Sequence, residues 1–218
     1  MSDRPFTLVG TDVNRWHLEL PRVDARYVVP PAEDPRYVPT LQRIIAEEQI
    51  DVLHAQPDVE VAVLSEHRDE FPARTFLPSR ETIRLCHDKM GTQARLESAR
   101  VPVPRSAQVT HLRDIPETLN RLQEAGGPVW LRAIRGAGSR GAVPVRTSRH
   151  AKDWIHYWST MKGLHVQDFM MAEFLRGREF AFQSLWKEGR LLTSACRQRL
   201  EYLFGHLTVS GQTSSPSV

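Results

Sequence analysis

The sequence predicts two halves of different class, an α/β half followed by an α+β half. Three observations carry that division. Before about residue 78, short apolar runs alternate with stretches of helical spacing, the pattern of a parallel sheet covered on both faces. After Gly127, apolar runs follow one another across Gly-containing connections, the pattern of hairpins. Between the halves stands Val101-Pro102-Val103-Pro104, whose prolines exclude helix and make a semi-rigid connector.

In the first half, residues 6–12 read as a short buried strand ending in a turn, and residues 26–31 as a second strand. Leu41, Ile44 and Ile45 recur on helical spacing and lead into a third strand over 50–55. A helix over roughly 58–71 carries Val59, Ala62 and Val63 on one side, and residues 74–77 give a fourth strand before Pro78. One parallel sheet of about four strands is expected here. Ser79 is set to cap a helix running to about Cys86, and a second helix spans 89–99.

In the second half, a strand from Gln108 is followed by a helix with Ile115, Leu119 and Leu122 on one face, stopped by Gly126-Gly127. Ser148 caps a helix in which Ala151, Trp154, Ile155, Trp158 and Met161 share a face, ended by Gly163. Residues 166–170 read as a strand. Residues 180–186 and 191–199 pair as a hairpin across Lys187-Glu188-Gly189-Arg190. The polar tail from Ser210 reads as loose.

Composition narrows the function classes. The 218 residues are 40% hydrophobic and 25% charged, with a net charge of +3 and a mean hydropathy of −0.41. No apolar run approaches the roughly 20 residues a bilayer span needs, and no basic-then-apolar leader opens the chain. A cytoplasmic protein with no membrane partner is expected. Cys86 and Cys196 lie far apart without metal spacing, so reduced, partly buried thiols are expected. The arginines are scattered, which leaves nucleic acid as a minor alternative partner. His54, His87 and His206 have no partner at metal spacing and read as structural.

Three stretches carry chemistry. The first is Val129-Trp130-Leu131-Arg132-Ala133-Ile134-Arg135-Gly136-Ala137-Gly138-Ser139-Arg140-Gly141. An apolar run with a cation in it opens into a loop rich in Gly136, Gly138, Ser139 and Gly141. Such a loop lets backbone N–H groups converge on phosphate oxygens, although a plain hairpin turn uses the same residues. Arg132 in mid-strand is costly unless it faces a ligand or a partner, or the open side of the sheet. The second stretch is Leu85-Cys86-His87-Asp88-Lys89-Met90, with a cation at the start of a helix, where a solvated surface lysine is the plain alternative. The third runs from Met171 through Glu173-Phe174-Leu175-Arg176-Gly177-Arg178-Glu179, whose charges could equally pair on the surface. Arg197 and Arg199 alternate along a strand onto one face, which a basic outer sheet face explains equally well.

A cation, a Gly loop after a second cation, then an acidic connector between strands is an order of parts that resembles the ATP-grasp superfamily. The similarity is to its carbamoyl-phosphate-synthase-like carboxylate–amine ligase branch, where the second cation is often Arg. It runs from about Thr7 to the C-terminus. The resemblance implies a shortened Rossmann-like N-terminal domain over 1–86 that lacks its first strand–helix unit. An incomplete ATP-grasp domain over 87–218 then lacks its C-terminal metal-binding part. It implies that Lys89 and Arg132 meet the phosphates of ATP beneath the loop of Gly136, Gly138, Ser139 and Gly141. Glu173, Phe174 and Leu175 would form the adenine hinge, Glu179 would hold the ribose, and Arg197 and Arg199 would approach the acyl phosphate or substrate. ATP is the implied cofactor. Mg²⁺ is expected for the family, with its ligands not present in this chain, and no catalytic residue is assigned. The implied activity is activation of a small carboxylate or carbamate as an acyl phosphate for attack by an amine. The alternative is a non-catalytic nucleotide-binding module, and an oligomer is left open.

Overall fold

The computed structural model describes residues 6–136, 141–203 and 206–212. The chain divides into two compact units, Met1–Arg95 and Leu96–Val218.

In the first unit, strand β1 (Val9–Asp12) pairs in parallel with β2 (Ala25–Val28), Val9 lying opposite Ala25. Helix α1 (Tyr37–Glu47) follows and buries Tyr37, Leu41, Ile44 and Ile45, one stripe at spacings of four and three. Strand β3 (Val52–Leu53), helix α2 (Asp58–Glu66) and strand β4 (Arg74–Thr75) complete the sheet-forming part, with β3 and β4 again parallel. These elements close one core around Tyr37, Leu41, Ile44, Leu64 and Phe71.

The single four-stranded sheet expected from sequence does not form. The pairs β1–β2 and β3–β4 are separate two-stranded sheets. A ladder requires adjacent strands about 4.8 Å apart. Here a cavity of about 720 Å³ lies between β1 and β3, with residues of both on its walls. The expected helix over 58–71 also stops early. It ends at Glu66, a single 3-10 turn takes Arg68–Glu70, and Val59 is 42% exposed.

Helix α3 (Arg80–His87) starts where Ser79 caps it, the hydroxyl accepting from the Thr82 N–H at 3.1 Å. Asp88 is extended and breaks the helix. Its carboxylate accepts from the Gly91 N–H at 2.9 Å and so starts α4 (Lys89–Ser98). Ser79→Ala is expected to lower stability by about 1 kcal/mol, read as a lower urea midpoint with an unchanged slope. An unchanged midpoint would contradict the cap.

The second unit is built on a four-stranded antiparallel sheet in the order β5-β8-β6-β7: β5 (Ser106–Gln108), β6 (Val129–Ala133), β7 (Val143–Val145) and β8 (Phe169–Glu173). Helices α5 (Ile115–Leu122) and α6 (Ser148–Lys162) join Val129, Leu131, Phe169 and Met171 of one sheet face in the second core. Three local expectations are corrected. Residues Val166–Asp168 form a 3-10 turn, and the strand begins only at Phe169. The cap of α6 is Thr147, whose hydroxyl accepts from the His150 N–H at 3.2 Å, instead of Ser148. Met161 is 60% exposed, because the last turn of α6 runs past the core.

A three-stranded antiparallel sheet follows, with β10 (Arg190–Leu203) between β9 (Glu179–Lys187) and β11 (His206–Gln212). Its first hairpin turns on Glu188 and Gly189, both at positive φ, the conformation that matches strand twist. Of the two thiols expected to be partly buried, Cys196 is so but Cys86 is exposed, since α3 turns its Ile83 stripe inward and Cys86 outward. Among the described residues, no helix is long and apolar enough to cross a membrane.

Candidate functional site

On β6, Val129, Leu131 and Ala133 point into the helix-covered core and are 0%, 0% and 6% exposed. Strand alternation therefore sends Trp130 and Arg132 to the opposite face. Their neighbours there on β8 are Ala172 opposite Trp130 and Met170 opposite Arg132, both buried. Arg132 thus stands half-buried on an apolar surface. Its Nε is buried and has no hydrogen-bond partner among the described residues. Burial pulls its pKa below the usual guanidinium value, and no carboxylate offsets that effect. A dry, unpartnered donor on a cation is costly, and an anionic ligand is the chemistry that removes the cost.

Beyond β6 the chain enters the Gly loop. Gly136 and Gly141 have φ of 105° and 70°, values that favour glycine. Gly141 is also sterically confined: a Cβ there would lie 3.4 Å from the Ala133 Cβ and 3.7 Å from a Phe169 ring carbon. Its carbonyl accepts from the Trp154 indole at 3.0 Å. The base of the loop is therefore fastened to the core. Gly138 and Ser139 lie outside the described residues.

Because β8 runs antiparallel to β6, Glu173 lies opposite Val129, while the loop leaves after Ala133. Loop and hinge therefore depart from opposite ends of β6, about 13 Å apart at ~3.3 Å per residue. The Glu173 carboxylate accepts from the Arg105 N–H at 2.9 Å and from its Nε at 2.7 Å, and Arg105 also reaches Glu124 at 2.8 Å. The Glu173 N–H donates to the Arg105 carbonyl at 2.9 Å. Both polar ends of Glu173 thus secure the start of the hinge. Phe174 leans edge-on against Trp130, with centroids 6.0 Å apart, and Leu175 is 66% exposed. Glu179 opens β9 and lies 3.7 Å from Arg199 of β10, its cross-strand neighbour. Arg197 shares that face and donates to the Gln183 side chain at 2.9 Å, while its Nε is buried and unpartnered among the described residues. Lys89 is half-buried at the first position of α4, in the first unit. Arg132, the loop, the hinge and the two strand arginines all belong to the second.

Two residues of this region escape a linear reading. Trp130 was hidden among apolar neighbours, and only its alternation with Leu131 marks it as sharing the Arg132 face. Arg105 carries no local signal, since its carboxylate partner is 68 residues away.

The backbone N–H and guanidinium of Arg105 hold the Glu173 carboxyl below its ordinary pKa. Its stabilising contribution is therefore present above the unfolded value near ~4.3 and is lost as pH falls through the lower folded value. Glu173→Gln is expected to flatten the loss of stability below about pH 4.3, measured as urea midpoints at pH 7, 4 and 3. Parallel pH curves for the two proteins would contradict the assignment.

No family model and no curated protein matches the chain. Solved structures do. The biotin carboxylase domain of Hydrogenobacter thermophilus 2-oxoglutarate carboxylase, in complex with MgADP, ADP and bicarbonate, is 16% identical with a TM-score of 0.73, and the match covers 94% of this chain and 47% of that one. Campylobacter jejuni biotin carboxylase, in complex with β,γ-ATP, is 15% identical with a TM-score of 0.71, covering 93% and 47%. N5-carboxyaminoimidazole ribonucleotide synthetase of Thermus thermophilus is 17% identical with a TM-score of 0.64, covering 94% and 51%. The chain spans about half the length of these structures. This chain shares the fold of the matched half of each of these structures.

Proposed function

We propose that this chain binds ATP on the Trp130–Arg132 face of its second unit and serves ATP-dependent activation of a carboxylate or carbamate. One observation carries the reading: the half-buried Arg132 has a dry Nε without a partner among the described residues, and nothing anionic beside it offsets the burial. Two features of the same sheet support it. Along one face of β6 an indole stands toward the hinge end and a cation toward the loop end. A nucleoside triphosphate has the same polarity, with a flat apolar base at one end and charged phosphates at the other.

In this reading Arg132 neutralises the phosphates. The 136–141 loop covers them with backbone donors and keeps water out. Backbone groups at Glu173 and Leu175 address the adenine edge, Phe174 walls it, and Glu179 accepts from the ribose hydroxyls. The reaction served is transfer of the γ-phosphoryl group to a carboxylate oxygen. The bond from Pγ to the β,γ-bridging oxygen breaks, a carboxylate O–P bond forms, and ADP leaves. The neutral amine nitrogen then attacks the carbonyl carbon, the C–O bond to the phosphate breaks with its electron pair leaving on inorganic phosphate, and the nitrogen gives up one proton to the departing phosphate or to water. Arg197 and Arg199 stabilise the acyl phosphate. Positioning and charge neutralisation supply most of such catalysis. Among the described residues, no group of three or more His, Cys, Asp or Glu could hold a metal ion.

The test is calorimetric titration with ATP and ADP. Arg132→Ala is expected to weaken binding about tenfold or more, the loss of a charge-assisted contact of ~1.5–3 kcal/mol. Equal affinity for the two proteins would refute the site.

A further inference from the structure

The Glu173 carboxylate takes a hydrogen bond that a sheet ordinarily gives to the main-chain carbonyl of the same residue. We propose that this exchange makes Glu173 and Arg105 positioning residues. They hold the carbonyl at position 173 out of the ladder as an acceptor for the 6-amino group of adenine, and so select adenine over guanine nucleotides. The inference rests on the nucleotide site proposed above and names what that site chooses.

The register shows the exchange. Ser106 lies opposite Ala172 and Ala107 opposite Met171, so Arg105 stands opposite Glu173, one step beyond the end of β5. The Glu173 N–H donates to the Arg105 carbonyl at 2.9 Å, which makes this a hydrogen-bonded pair. Such a pair ordinarily exchanges two bonds, the second running from the Arg105 N–H to the Glu173 carbonyl. Here that N–H donates to the Glu173 carboxylate instead, at 2.9 Å. The side chain has replaced the main chain as acceptor, and the ladder ends one bond short with the carbonyl released.

The replacement is firmly held. One carboxylate oxygen takes the Arg105 N–H and the other takes the Arg105 Nε at 2.7 Å. The rest of the guanidinium donates to the Glu124 carboxylate at 2.8 Å and to the Arg121 carbonyl, in the last turn of α5, at 3.2 Å. The Glu173 side chain stands on the face of β8 that carries Phe169 and Met171 into the helix-covered core, opposite to the face of Trp130 and Arg132. Its influence on that second face therefore passes through the backbone. The next residue, Phe174, already leans on Trp130, so the chain reaches the Arg132 face directly after the released carbonyl.

The choice of base follows from elementary chemistry. Adenine carries an amino donor at its 6 position, where guanine carries a carbonyl oxygen. The carbonyl at position 173 accepts from the first and opposes the second. A site whose polar group is satisfied by one base and left unpaired by the other discriminates far better than an apolar pocket does.

The test is calorimetric titration with ATP, GTP and inorganic tripolyphosphate. The unaltered protein should bind ATP about tenfold or more tighter than GTP, the effect of one hydrogen bond made against one left unmade. Glu173→Ala gives the Arg105 N–H back to the carbonyl, so the ATP-to-GTP preference should vanish while tripolyphosphate affinity stays unchanged. Glu173→Gln, whose amide oxygen still accepts that N–H, should keep the preference. Arg105→Pro added to Glu173→Ala removes the competing N–H and should restore it. If the double variant does not fold, the contrast between the Gln and Ala variants decides. A pair kept for structure alone would weaken all three ligands alike in Glu173→Ala, and Arg105→Pro would weaken them further. That pattern overturns the inference, as does an unaltered protein that binds ATP and GTP equally or a Glu173→Ala variant that keeps the preference. Arg132→Ala should instead weaken ATP and tripolyphosphate together and leave the ATP-to-GTP ratio in place. Failure of the nucleotide site therefore shows at Arg132, and failure of base selection shows at Glu173.

Discussion

Phe169→Ala is expected to lower the stability of the second unit by about 3–5 kcal/mol. The ring is fully buried at the start of β8, among the side chains of α5, α6 and β6. Its backbone carbonyl, which accepts from the Val109 N–H at 2.9 Å, is untouched by the change, so the measurement isolates packing. The cavity opens on the side of Gly141, where an added Cβ would lie 3.7 Å from a carbon of the ring. Phe182→Ala is the control. That ring is 62% exposed on β9, and its removal should change stability by no more than about 0.5 kcal/mol. Urea unfolding followed by circular dichroism compares the two. Equal losses would mean that the core does not lie where β8 meets its helices.

Arg132→Leu is expected to move two readouts in opposite directions. The leucine fits the apolar face shared with Met170 and Ala172 and removes a dry donor, so the nucleotide-free protein should melt several degrees higher, for a gain of about 1 kcal/mol. ATP affinity should fall about tenfold or more with the lost charge-assisted contact. An arginine kept for structure alone would give the reverse pattern, a lower melting temperature with unchanged affinity. Stability traded for a ligand is the signature of a working site.

Much of this architecture could be read from the chain because the signals were local. The stripe of Tyr37, Leu41, Ile44 and Ile45, the Ser79 cap, the face of Ile115, Leu119 and Leu122, and the Glu188-Gly189 turn each depend on neighbours within a few residues. What failed depended on distant partners. The apolar residues of β1 and β3 called for one sheet, but strand pairing is decided by which edges meet, and these two do not. Residues 166–168 had strand composition, yet Asp168 accepts from the His165 N–H at 2.7 Å and turns the backbone before the ladder begins. In the candidate site, Arg132 and the loop glycines were visible as a charge in an apolar run and a cluster of small residues. The commitment of Glu173 to Arg105 was invisible, because it joins the two ends of a 68-residue span.

The placement of Trp130 gives the molecule a built-in lamp. Its indole sits at a half-buried boundary, edge-on to Phe174 and on the sheet face of Arg132. Trp154 and Trp158 belong instead to α6 and pack on the helix-covered core, while Trp16 and Trp186 are 70% and 54% exposed. Indole emission shifts with the polarity around the ring. Of the five tryptophans, Trp130 is therefore the one whose colour and brightness follow what arrives on or leaves the Arg132 face. With the other four replaced by phenylalanine, a single emission spectrum becomes a direct optical record of occupancy at that face.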